Sequence, residues 1–183
     1  MSIKLIPKGD LKKAITELRS ALKKELTTDY FFDLIVKKRM AKGISPVKNQ
    51  KWVKYSKSYV AQINGKVSFF TSKTTGMVHP MPGVANPIFG AFGKKVRPVN
   101  LKLSGVLWES FYTKQNSRGI VIGFSDPVAK YHNDEGAGKS KTVRPMLPTH
   151  SGDEWNSGIT AEFRTFVNEI AIKVLKKYKK PKP

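Results

Sequence analysis

Apolar residues recur every three or four positions between Asp10 and Met40, at Leu11, Ile15, Leu18, Leu22 and Leu26, then Tyr30 or Phe31, Leu34 and Ile35. That spacing is one face of an amphipathic helix, with Asp10 as its N-cap and Gly43 as its C-terminal stop. Thr27-Thr28-Asp29 offers the alternative of two helices in succession. The face so formed is core or subunit interface, and it carries no site. A second amphipathic helix is expected between Trp155 and Tyr178, where Ile159, Phe163, Phe166, Val167, Ile170 and Val174 share a face.

Between the helices the period changes. "GISPVKNQKW" reads as a turn, and "YSKSYVAQI" fits a short helix or an extended piece equally well. "KVSFFTS" follows an Asn64-Gly65 turn signal and has the β-branched and aromatic content of a strand. "SFYTKQ" and "GIVIGF" are expected to pair as an antiparallel hairpin across Asn116-Ser117-Arg118, with a short helix before them in "LKLSGVLWESF". "DPVAKYHNDEG" reads as one or two helical turns, with Asp126 capping and Pro127 at the first position. Residues 73–95, rich in proline and glycine and without a consistent period, form a long loop suited to ordering against a partner. The expected architecture is one α+β domain over residues 1–183: two long amphipathic helices packed on a small antiparallel β-sheet, with that loop and a basic tail at 173–183.

Charge changes the picture more than composition does. The chain has 34 basic and 13 acidic side chains, a formal net charge of +21. No Asp or Glu occurs from Leu34 to Trp108, and the end of the chain, "KVLKKYKKPKP", is dense in lysine. A surface of this kind repels itself unless a polyanion lies nearby, and the commonest such partner is nucleic acid. An acidic protein partner, or a solvated face that serves solubility, is the alternative. Cysteine is absent, which excludes disulfides, thiolate catalysis and cysteine-ligated zinc. The N-terminus lacks an apolar signal region and no stretch is long enough to span a bilayer, so a soluble, non-exported protein without a membrane partner is expected.

Three constellations suggest chemistry. "NDEGAGKSKT" ends like a phosphate-cradling loop, but the glycine required five residues before Gly138 is Asn133, and Pro145 and Pro148 follow too closely for the helix such a loop opens. His132, Asp134 and Glu135 are the one tight set of potential metal ligands, with Glu109 and Asp126 as possible supplements. Neighbours in a glycine-rich turn diverge, whereas two-metal phosphoryl chemistry needs carboxylates converging from different elements. His79 and His150 have no acid or nucleophile beside them and read as surface residues. Trp52, Tyr55 and Tyr59 interleave with lysine and would suit a stacking platform for single strands, although Trp52 fits a core anchor better. No metal or cofactor is expected, and no helix-turn-helix, zinc finger or ribonucleoprotein motif is legible.

Several short segments, in order, resemble the virion-morphogenesis and tail-completion proteins of tailed bacteriophages, the small proteins that join head to tail. Leu101, Ser104, Gly105, Leu107 and Ser110 match a Leu-x-x-Ser/Thr-Gly-x-Leu-x-x-Ser segment that leads into a hairpin. Ala129, His132 and Gly136 match an Ala-x-x-His-x-x-Gly turn with one residue inserted, and Arg144, Pro145, Leu147 and Pro148 match the Arg-Pro-x-Leu-Pro-like strand after it. "GISPVKNQKWVKYSKSYV" resembles the family's turn after the long N-terminal helix. The long loop at 73–95 and the extreme basic tail depart from the family pattern.

The resemblance implies a non-enzymatic structural virion protein, assembled in the host cytoplasm. It would be a homo-oligomer, a hexameric ring in the neck that touches connector or tail-tube proteins while genomic DNA passes through its lumen without sequence specificity. Lys139, Lys141, Lys176, Lys177, Lys179 and Lys180 are the candidates for lining that channel. A free, sequence-independent nucleic-acid-binding protein is the first alternative and a metal-dependent nuclease the second.

Overall fold

The computed structural model describes residues 8–55, 57, 60, 67–71, 74, 78–82, 97, 99, 101, 105–117, 119–136 and 141–178. Helix α1 spans Lys8–Glu25 and α2 spans Thr28–Phe31. The break between them follows from Thr27, which adopts an extended backbone and accepts the Tyr30 N–H on its hydroxyl, capping α2. The chain then widens into a π-turn at Phe32–Lys37 and tightens into a 3-10 turn at Met40–Lys42. Gly43, at φ 72°, ends the run, as a left-handed stop should. At the other end the helix begins at Lys8, so Asp10 lies within its first turn and is not the N-cap expected from the sequence.

Strand β1 (Val67–Thr71) pairs antiparallel with β2 (Val78–Pro82). The second of these corrects the sequence reading, because it occupies ground expected to be loop. Pro80 and Pro82 obscure it, yet residues two apart in a strand turn their backbone nitrogens to the same side. Both missing N–H donors thus face away from β1, the edge position at which proline is tolerated. Residues 83–95 lie outside the described residues.

Helix α3 (Val106–Glu109) leads into the second hairpin, β3 (Phe111–Gln115) with β4 (Ile120–Phe124), in register Phe111 to Phe124. A short helix, α4 (Val128–Lys130), runs on as a π-turn at Tyr131–Glu135, with the Asp126 carboxylate accepting the Val128 N–H at 2.9 Å. Helix α5 (Ser157–Lys176) starts where Asn156 accepts the Gly158 N–H on its side chain. The fold is α+β, with two long helices and small antiparallel hairpins. Among the described residues no helix is long and apolar enough to cross a membrane.

Helix α5 packs antiparallel along the N-terminal helical run. Lys177 reaches Glu17 at 3.3 Å, Phe166 stacks on Tyr30 with ring centres 4.2 Å apart, and Lys38 reaches Glu162 at 3.0 Å. The hairpin β3–β4 covers the other side: Phe111 lies edge-on to Phe32 and Phe124, and the Thr28 and Thr113 hydroxyls hydrogen-bond at 2.7 Å. Covered from both sides, the π-turn buries Leu34, Ile35 and Val36 in succession, and these with Met40, Leu107, Met146 and Ile159 form the core.

Candidate nucleic-acid and assembly surface

The segments that carry the sequence resemblance meet in one knot of buried polar contacts. Arg144 is its centre, only 6% exposed. Its backbone N–H donates to the His132 carbonyl at 2.6 Å, and its side chain donates to the carbonyls of Val53 at 3.1 Å and Lys54 at 3.4 Å. The guanidinium also lies 5.3 Å from the centre of the Tyr55 ring. The next residue, Pro145, offers its carbonyl to Trp52 Nε1 at 2.9 Å and to Ser45 Oγ at 3.1 Å. Trp52 is buried in the core, so the single-strand stacking platform loses its first ring. Tyr59 lies outside the described residues.

Asn133 secures the other side of the knot and was not singled out by the sequence. Its Oδ1 accepts the N–H groups of Met146 and Leu147 at 2.8 and 2.9 Å, and its Nδ2 donates to Asp134 Oδ1 and Thr149 Oγ1 at 2.6 and 2.7 Å. All the hydrogen-bonding capacity of this buried amide is engaged. The turn is completed by Gly136, at φ 79°, where a Cβ would collide with the Lys141 carbonyl. Gly105, at φ 104°, likewise needs the left-handed region, and Leu101 and Leu107 contribute their side chains to the core.

The residues weighed as potential metal ligands are engaged in or beside the same knot. Asp134 Oδ1 accepts from Asn133 and from Thr149 Oγ1 at 3.0 Å and lies 3.4 Å from His150 Nε2. Glu135 pairs with Lys130 at 2.7 Å, which holds the lysine pKa above its ordinary value. His132 contributes its backbone carbonyl. Among the described residues no group of three or more His, Asp or Glu converges on a point. Two shallow, open depressions flank the Lys48–Glu154 ion pair near the start of α5.

What the knot positions is a cationic strip. The knot's bonds hold the Trp52 side chain and the carbonyls of Val53 and Lys54, while Lys48, Lys51, Lys54 and Lys57, close by in sequence, are exposed. Lys51, Lys54 and Lys57 make no ion pair with any described residue, whereas Lys48 pairs with Glu154 and holds that carboxyl below its ordinary pKa. Lys141, three residues before Arg144, is also exposed. Of the other channel candidates, Lys176 is exposed on the last turn of α5 and Lys177 pairs with Glu17. Tyr178 also hydrogen-bonds to Glu17; partial burial and that bond push its phenol up to about 12. Lys139, Lys179, Lys180 and the motif residue Ser104 lie outside the described residues. Comparison of the chain with protein-family models, curated proteins and solved structures yields no match.

Proposed function

We propose that this chain is a structural subunit of a tailed-phage virion, in a ring that completes the tail or joins it to the head, with duplex DNA sliding past its cationic strip. The supporting observation is that strip: exposed lysines on backbone pinned by Arg144 and Trp52, within a stretch from Leu34 to Trp108 that contains no acid. Fixed backbone carrying flexible lysines suits transient contact with phosphates. An ammonium on four methylenes follows a moving polyanion, whereas a bidentate arginine fork would hold it in place. The motif order that resembles the tail-completion proteins supports the same reading, because its His132, Arg144 and Pro145 are bonded into one unit. The ring is hexameric in this reading, its neighbours are connector or tail-tube proteins, and no catalytic step or cofactor is ascribed to it.

Negative-stain imaging of the purified full chain, alone and with tails, tests the proposal, with closed rings expected to cap tails. A chain that remains monomeric and binds duplex by itself, with a salt slope of about −0.9 per phosphate neutralised, would instead establish a free nucleic-acid-binding protein.

A further inference from the structure

Two patches on this chain complement one another in both apolar character and charge. On α1 the side facing α5 holds the buried Ala14, and beside it runs the stripe Leu11, Ile15, Leu18 and Leu22. Its lower half is partly buried where the hairpin arrives, with Gln115 Nε2 donating to the carbonyls of Lys23 and Leu26. Its upper half is bare: Leu11 and Ile15 are each 44% exposed. At 100° per residue the flank of this stripe away from α5 is formed by Lys12, Arg19 and Lys23, all exposed.

The second patch surrounds the base of the hairpin β3–β4. There Ser125 N donates to the Ser110 carbonyl at 2.9 Å, bringing the end of α3 beside the start of α4. Val106 on α3 and Val128 and Tyr131 on the α4 run are exposed; the charges here are Glu109, Asp126 and Lys130, whose ammonium is already paired with Glu135 at 2.7 Å, so the unpaired charge of the patch is acidic. One surface is apolar with a basic flank, the other apolar with an acidic one.

We infer that the bare end of the α1 stripe docks onto the α3–α4 patch of a second copy of this chain. Because the two patches are different surfaces, the contact is head-to-tail, and repetition of such a contact generates a ring when the rotation closes. Opposed charges also select this pairing over one α1 stripe against another, which would bring two basic flanks together. The closure into a ring rests on the function proposed above; the contact itself rests on the two patches.

Sedimentation equilibrium of the full chain at about 0.15 M salt, where long-range self-repulsion is screened, tests it by charge exchange. Lys12→Glu with Arg19→Glu, and separately Glu109→Lys with Asp126→Asn, which keeps an oxygen for the Val128 N–H, should each weaken self-association by about tenfold or more. Combining all four substitutions should restore it to within about threefold of the unaltered chain, since like charges no longer meet. Should the unaltered chain stay monomeric at every concentration, the ring reading falls and this contact with it. If the chain associates but neither exchange alters the association, the contact is overturned and the ring reading stands. Exchange on α1 that abolishes retention on duplex DNA while leaving association intact would assign the stripe to DNA and overturn the inference.

Discussion

The knot around Arg144 and the free end of the α1–α5 pair depart from ordinary side-chain partition in opposite directions. In the knot a guanidinium and a carboxamide are buried and hydrogen-bonded, Arg144 to carbonyls about ninety residues upstream and Asn133 to N–H groups 13 and 14 residues downstream, and the result is backbone held in place beside exposed lysines. Near the start of α1, Leu11 and Ile15 are each partly open to solvent. Buried polar groups lose heavily if their geometry slips, so they specify position. Exposed apolar groups are indifferent to geometry until something covers them, so they mark where a surface is incomplete.

The contrast is broken most severely by Asn133→Ala, which orphans the N–H groups of Met146 and Leu147 and is expected to cost about 3 kcal/mol in urea denaturation. A loss below about 1 kcal/mol would mean that the knot readily rearranges. Gly136→Ala should cost about 2 kcal/mol, because φ 79° is strained for alanine and the added Cβ meets the Lys141 carbonyl.

Glu162→Gln tests the ionic seam between α5 and Lys38 and Arg39, at about 1 kcal/mol near neutral pH. The bonds from Lys38 and Arg39 hold the Glu162 carboxyl below its usual range. Its contribution is therefore complete above the ordinary carboxylate range and is lost as pH falls through the depressed folded value. Thermal unfolding scanned from neutral to acid pH should show a shallower acid limb in the variant. An unchanged limb would show that solvent screens the pair completely. The smallest effect is expected from Leu11→Ser with Ile15→Ser, within about 0.5 kcal/mol for the dilute monomer. A loss above about 2 kcal/mol would place these side chains in the core and erase the contrast.

Much of this fold could be read from the sequence. The three-and-four spacing located both long helices, and the hairpin β3–β4 followed from two β-rich runs around a turn. The division of the first helical run was present in Thr27, although periodicity alone favoured neither alternative. Strand β2 was hidden because Pro80 and Pro82 count against a strand unless the partner side of the chain is known. The cationic strip was legible as a charge bias over Leu34 to Trp108, but its support was not. Nothing local distinguishes Asn133 from an ordinary turn asparagine; its role depends on two N–H groups more than ten residues away. Arg144 was legible only as a motif residue, since its acceptors are the carbonyls of Val53 and Lys54.

Those acceptors lie about ninety residues upstream, which has a temporal consequence. During synthesis the lysine-rich stretch leaves the ribosome long before Arg144 does, so it has no anchor until most of the chain exists. Local helices and the β3–β4 hairpin form in microseconds, whereas a loop of this length must close before Arg144 can engage. The strip is therefore among the last features to take shape, and polyanions in the cell meet its lysines first on an unanchored chain.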